Sequence, residues 1–253
     1  MSKREARLNQ LMELSQHYDN LHVKDAAKLL HVSEMTIRRD LRDVASFSLH
    51  LLGGYIVSNK ENSDNGSHYF VSEQQQHNIS EKMRIGLLAA KLIQNNETVF
   101  FDCGTTIPYI IDNISDSIHF TGICYSLNVF LALQKRENCK AILCGGLFES
   151  DNLIFTPINE SSPLDIVYPS TSFISAAGIS FKGVTCFNLA EVNWKIKAIR
   201  QSSRNILVAD SSKFDELKSA YFAQLSDFDV LISEQIDDKY LSYCQKNNIV
   251  IYQ

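Results

Sequence analysis

The sequence predicts an α/β protein in two parts: a small amino-terminal domain of short helices, and a larger one built on a mainly parallel sheet sandwiched by helices. Three observations carry this. Short amphipathic helical patterns fill residues 3–45, and a hairpin signal around Gly53-Gly54 follows them. Periodicity then fades over residues 58–78, which are rich in Asn, Ser, Gln and Glu and hold Gln74-Gln75-Gln76; such composition marks a linker. From Glu97 onward apolar strand runs alternate with helical patterns, the order that gives a Rossmann-like parallel sheet with helices on both faces. The predicted boundaries are 1–58 for the first domain, 59–78 for the linker and 79–253 for the second, and a chain of this length suits two unequal domains.

Taken in order, residues 3–18 form an amphipathic helix with Leu8, Leu11, Met12 and Leu14 on one side. Val23 to Leu30 reads as a second short helix, and His31-Val32-Ser33 as a tight connection. In the third helix Ile37, Leu41 and Val44 are spaced i, i+4, i+7 and share one buried face. Ser33 is placed to cap that helix, and Thr36 and Arg39 point outward with the neighbouring cations Arg38 and Arg42. Two short helices with a cationic second one fit the major groove of DNA. The candidate DNA-binding residues are therefore Ser33, Met35, Thr36, Arg38, Arg39 and Arg42. The arginines would take phosphates or guanine edges, and Ser33 and Thr36 the DNA backbone. Leu49 to Val57 reads as two strands around Gly53-Gly54, either a wing lying along DNA or a plain hairpin capping the small core.

A helix resumes at about 79–94 on Ile85, Leu88, Ala89 and Leu92. Strands follow at Thr98–Asp102, Ile118–Tyr125, Ala141–Cys144, Thr171–Ala176, Asn205–Asp210 and Asp229–Ser233. Helices are expected through Ile110 and Ile111, around Phe130 to Leu133, and over 189–203.

Charge is informative once divided. Residues 1–45 hold eight Lys/Arg against seven Asp/Glu, and the remainder 16 against 22, within a net charge of −5. Local charge on a docked face governs phosphate contacts, so an acidic whole does not exclude DNA binding. Six cysteines show neither CxxC nor metal-ligand spacing with histidine. A reduced, cytoplasmic protein without metal or cofactor is expected. Nor does any apolar run approach the ~20 residues of a membrane span, and the start Met1 to Arg7 is polar.

The strand ends suggest a small-molecule site, since ligands of such sheets sit at the carboxyl ends. Asp102-Cys103-Gly104-Thr105-Thr106 ends an apolar strand in a carboxylate, a turn glycine and two hydroxyls at a helix start. An anion such as phosphate suits those groups, although Thr105 as a cap and Gly104 as a turn would serve the fold equally. Ser126 and Asn128, Gly145 and Gly146, Gly178, and Asp210-Ser211-Ser212-Lys213 end four further strands. Lys195 could add a cation, yet taken alone it reads more readily as a solvated lysine.

These residues together resemble the DeoR family of bacterial regulators. The amino-terminal match is Ser33 to Leu41 followed by Gly53-Gly54. The second runs through Asp102 to Thr106, Gly145-Gly146, Gly178-Ile179, Glu191, Lys195 and Asp210 to Phe214. The resemblance implies a winged helix-turn-helix joined to a sugar-phosphate-sensing domain with a sugar-phosphate-isomerase-like fold. The effector-binding residues it implies are Asp102, Gly104, Thr105, Thr106, Ser126, Asn128, Gly145, Gly146, Gly178, Glu191, Lys195 and Lys213. Tyr125-Ser126 stands where the family usually has Thr-Asn, Asn95-Asn96 where it has a glycine, and the usual arginine ahead of the linker helix is absent from Gln74-Gln75-Gln76. Within the family these departures, with Cys124 to Asn128 and Thr185 to Leu189, imply deoxyribose 5-phosphate as inducer; residue chemistry alone would not have chosen that sugar.

The expected function is repression of deoxyribonucleoside catabolism genes, with double-stranded operator DNA and a sugar phosphate as partners and a homo-oligomer of at least two chains. Another sugar phosphate as effector, activation instead of repression, and a sugar-phosphate isomerase using Asp102, Glu191, Lys195 and Lys213 are the alternatives.

Overall fold

The computed structural model describes residues 3–17, 21–41, 49–52, 55–58, 77–159 and 161–253. Arg42, Val44, Gly53, Gly54 and residues 59–76 of the predicted linker lie outside these. The chain divides into two compact units, residues 1–67 and 68–253.

In the first unit, α1 (Lys3–His17), α2 (Val23–Leu29) and α3 (Glu34–Asp40) accompany a small antiparallel sheet. The strands β1 (Leu21–His22), β2 (Leu49–Leu52) and β3 (Tyr55–Ser58) lie in the order β1-β3-β2. Leu8, Leu11, Val23, Ala26, Ile37, Leu49 and Ile56 make the core, with Met12, Leu14 and Leu41 packed against it. The helical spacing foresaw Leu8, Leu11 and Ile37. The third helix ends earlier than the pattern suggests, with Leu41 as its C-cap. Asp40 explains how α1 is held to α3. Its buried carboxylate accepts two bonds from the Arg7 guanidinium, at 2.7 and 3.1 Å, and its carbonyl accepts one from Arg4.

The second unit is organised by a seven-stranded, all-parallel sheet in the order β15-β14-β12-β9-β4-β5-β6. Its strands are β4 (Thr98–Phe101), β5 (Phe120–Cys124), β6 (Cys139–Leu143), β9 (Thr171–Ser175), β12 (Arg204–Val208), β14 (Val230–Ile232) and β15 (Val250–Tyr252). Alternate residues serve opposite faces. Val99, Phe101, Phe173, Ile206 and Val208 pack against α4 (Ile79–Ala90), α5 (Ile107–Asp112) and α6 (Leu127–Gln134). Phe100, Ile123, Ile174, Leu207 and Leu231 pack on the other side against α7 (Leu189–Gln201) and α8 (Asp238–Lys246). A small antiparallel sheet of β10 (Gly178–Ser180), β11 (Gly183–Cys186) and β13 (Ala220–Ala223) completes that layer. A hairpin, β7 (Leu147–Glu149) with β8 (Ile154–Thr156), follows β6. The sequence pattern missed β15 and α8, whose residues form short, mixed runs.

Chain order places the site. The chain runs outward from β4 to β5 and β6, then crosses back to lay β9 on the other side of β4. The connections leaving β4 and β9 therefore diverge and open a crevice at their carboxyl ends. Asn96 carries φ +64° just ahead of β4; asparagine adopts that left-handed conformation more readily than most residues, so no glycine is needed there.

Candidate effector site at the strand ends

A cavity opens at this switch point. Its walls include Gly104, Thr105 and Thr106 after β4, Ser175 at the end of β9 with Ala176 and Ala177 after it, Glu191 and Lys195 on α7, and Asp210 and Lys213 after β12. Gly104 has φ +101°, and a Cβ there would stand 3.2 Å from the Ser175 hydroxyl. Only glycine combines that backbone with so close a neighbour.

Beneath the cavity lies a buried charge network. Asp102 Oδ2 accepts from the Lys195 ammonium, from Ser175 N–H at 2.8 Å and from the Ser175 hydroxyl at 2.8 Å. Its Oδ1 accepts from the Tyr125 hydroxyl at 2.7 Å. Lys195 also reaches Glu191 at 3.5 Å and donates to the Ser175 carbonyl at 3.0 Å. Glu191 in turn accepts from Asn152 at 3.2 Å.

Lys195 is only 1% exposed, which overturns the reading of it as a solvated lysine. On α7 the buried positions are Glu191, Trp194, Lys195 and Ala198, spaced i, i+3, i+4, i+7, so Lys195 sits on the core face by helical geometry. Burial works against its charge, but Asp102 and Glu191 outweigh that and hold its pKa well above the ordinary value. Burial also raises the Glu191 pKa, opposed by Lys195 and reinforced by Asp102. The Cys103 and Tyr125 protons are held by burial and by the surrounding carboxylates. Burial lifts the Cys186 thiol to about 12. Both thiols facing the cavity are therefore neutral.

Six of the twelve residues proposed for effector binding line this cavity, namely Gly104, Thr105, Thr106, Glu191, Lys195 and Lys213, while Asp102 lies directly beneath. The other five stand elsewhere. Asn128 donates to the Gly104 carbonyl at 3.0 Å, and buried Ser126 bonds Asn128, so this pair supports the turn from behind. Gly178 pairs β10 with β11. Gly145 and Gly146 are exposed and do not line the cavity. Gly146 has φ +151°, and a Cβ there would come within 1.9 Å of the Thr156 carbonyl oxygen; its smallness serves the β7–β8 hairpin.

The strand-end reading did not pick out Lys82 and Asn152. Asn152 is carried in by the turn before β8, beside Leu153 in a left-handed conformation (φ +54°), and no sequence pattern marks it. Lys82 did leave a signal: with Ile85, Gly86 and Ala89 it is spaced i, i+3, i+4, i+7 along the buried side of α4. Among the described residues no cluster of three or more His, Cys, Asp or Glu side chains could hold a metal ion. No helix among them is long and apolar enough to cross a membrane.

In the first unit the candidate DNA-binding residues that the structure describes, Ser33, Met35, Thr36, Arg38 and Arg39, lie at the start of α3 and along it, with Thr36 partly buried and the others exposed; Arg42 lies outside the described residues. Ser33 caps the helix, accepting from Thr36 N–H at 3.1 Å. Met35 is 64% exposed, and Arg38 and Arg39 are exposed, with Arg38 only 4.0 Å from Glu34.

Comparison with known proteins agrees with both units. Residues 7–61 match the DeoR-like helix-turn-helix domain, and residues 77–235 the DeoR C-terminal sensor domain. The chain is 45% identical to the deoxyribose operon repressor of Escherichia coli (strain K12) over 250 residues, covering 98% of each. It is 28% identical to the HTH-type transcriptional repressor GlcR of Bacillus subtilis (strain 168), covering 93% of this chain and 90% of the relative. Among solved structures, ribose 5-phosphate isomerase A from Methanocaldococcus jannaschii overlaps 54% of this chain and 55% of its own, at 14% identity and a TM-score of 0.41. With both family domains matched in order and a relative of that identity spanning its length, this chain belongs to the DeoR family of helix-turn-helix transcriptional regulators.

Proposed function

We propose that this protein represses genes of deoxyribose and deoxyribonucleoside catabolism and leaves its operator when deoxyribose 5-phosphate binds the strand-end cavity. The observation that carries the reading is the convergence of Lys82, Lys213, Thr105 and Thr106 on one cavity at the sheet's switch point. Cations and hydroxyl donors suit a phosphate. A wall of Cys103, Cys186, Ala176, Ala177 and Phe187 offers apolar surface to a sugar that lacks a hydroxyl. The sugar itself is carried over from the E. coli relative's name, at 45% identity. The protein acts in the cytoplasm, with its thiols reduced, as at least a dimer, because operators with two half-sites need two reading helices.

Equal affinity for free and DNA-bound forms would shift nothing, so the inducer must favour the released form. The test is a gel shift on an operator selected from random duplexes, titrated with deoxyribose 5-phosphate, ribose 5-phosphate and glucose 6-phosphate. Release by deoxyribose 5-phosphate at the lowest concentration is expected. Release by either rival at tenfold lower concentration overturns the assignment. Catalysis is disfavoured by the floor of the site, where Asp102 and Lys195 satisfy each other. Turnover of deoxyribose 5-phosphate by the pure protein would reverse that judgement.

A further inference from the structure

Lys82 lies on α4, the first helix described after the linker, and its buried side chain lines the cavity. Its ammonium donates to the His77 carbonyl at 2.7 Å. His77 begins the described part of the second unit, and the chain amino-terminal to it leads back to the DNA-binding unit. The next residue, Asn78, sits in the left-handed conformation with φ +53°. That backbone is held from the cavity side: Asn78 Nδ2 donates to Asp210 Oδ1 at 3.0 Å and to the Ser212 hydroxyl at 3.3 Å. Asp210 lines the same cavity and lies 3.9 Å from the Lys213 ammonium. The start of α4 is thus fastened by two bonds whose other ends, Lys82 and Asp210, are walls of the site.

Electrostatics give this arrangement a direction. Burial depresses the Lys82 pKa, Asp210 supports its charge, and Lys213 opposes it. A phosphate dianion among these groups relieves both the burial of the ammonium and its repulsion with Lys213. It draws the two lysines toward itself, Lys82 from the His77 carbonyl and Lys213 from Asp210, and its charge repels the Asp210 carboxylate that holds Asn78.

We infer that engagement of Lys82 by the effector's phosphate unfastens His77 and Asn78 and so releases the start of α4. The inference rests on the sugar-phosphate reading above, which already gives Lys82 to the phosphate, and adds the residues that transmit its binding. Asn78 and Asp210 are positioning residues in it, and the state that grips the operator is the fastened one.

Two variants of the full chain test it. Lys82→Gln keeps a donor for the His77 carbonyl and removes the charge. It is expected to lower affinity for orthophosphate and for deoxyribose 5-phosphate at least tenfold, read by calorimetry. Asn78→Ala is expected to leave both affinities within about twofold, yet to weaken operator binding without ligand. Its ratio of operator Kd with and without saturating deoxyribose 5-phosphate should fall below a third of the wild-type ratio. Wild-type phosphate affinity in Lys82→Gln overturns the ligand assignment, and an unchanged ratio in Asn78→Ala overturns the transmission. If Lys82→Gln does not fold, Lys82→Met replaces it with the same expectation; if neither folds, the Asn78→Ala ratio decides. Failure of the wild-type operator complex to respond to deoxyribose 5-phosphate would refute the choice of inducer instead. The two variants are then judged with orthophosphate and with whichever sugar phosphate releases the operator.

Discussion

The two units set their chemistry on opposite sides of their cores. In the DNA-binding unit Met35, Arg38 and Arg39 stand exposed while Ile37, in the same turn of helix, is fully buried. The exposed candidates for DNA contact and the core of the unit are different residues. In the sensor unit the groups under the cavity are themselves core: Asp102 and Lys195 are each at most 1% exposed and bonded to each other. Cavity wall and core meet there in one side chain, since Lys195 belongs to both. The contrast predicts that substitutions in the first unit separate operator binding from stability, whereas those at the floor of the second do not.

The largest expected effect attacks the second half of that contrast. Lys195→Met should cost about 3–5 kcal/mol, because it strands the Asp102 carboxylate in the core without its cation. The sensor's unfolding transition should drop by roughly 10 °C, with loss of effector binding. A variant that melts like the wild type and loses only ligand affinity would show the floor to be separable after all. Next in size, Arg38→Ala or Arg39→Ala should weaken operator binding by about 1–3 kcal/mol and flatten its salt dependence. Stability should stay within about 0.5 kcal/mol, the range for exposed positions. If both substitutions leave operator affinity and salt slope intact, α3 is not the reading helix.

A smaller effect concerns Glu191, whose pKa is raised in the folded protein from an ordinary value of 4.5, mainly by burial. The folded state then binds a proton more tightly than the unfolded chain does. The stabilisation is fully present below pH 4.5 and is lost as pH rises through the folded pKa. Sensor stability should therefore fall as pH climbs above 4.5, and Glu191→Gln should remove that part of the slope. Denaturant titrations at several pH values would read it, and an unaltered slope in the variant would sink the assignment.

The same contrast decided what the sequence could reveal. The exposed side of a helix is legible, because the Ser33 cap and the outward placing of Arg38 and Arg39 follow from capping and helical spacing alone. Strand ends are legible too: alternating patterns located Gly104 to Thr106 and Lys213 at the cavity, since the carboxyl end of a parallel strand fixes where its loop emerges. Of the buried cations, Lys195 reads as solvated in the sequence and Lys82 is passed over. Lys195 and Lys82 both occupy core-facing helical positions, yet a lysine among apolar residues reads as solvated until its partners, Asp102 or the His77 carbonyl, are brought in by the fold. Gly146 erred the other way, since a turn needing glycine and a ligand needing glycine leave the same mark. Asn152, held against Glu191 across 39 residues, had no local signature.

Ser33 offers the finest cut. It caps α3 through Thr36 N–H at 3.1 Å, its hydroxyl lies 2.9 Å from that of Thr36, and it is exposed on the reading side. If its role is the cap, Ser33→Ala should destabilise the DNA-binding unit by about 1 kcal/mol and weaken operator binding only in proportion to the helix lost. Ser33→Asp separates the two roles, because aspartate caps as well as serine but places a negative charge where a DNA phosphate would come. Its thermal stability should match the wild type while operator affinity falls and recovers little at higher salt. An aspartate variant that binds the operator normally would mean that the helix start faces away from the DNA backbone, and that α3 reads bases from its Arg38 and Arg39 end alone.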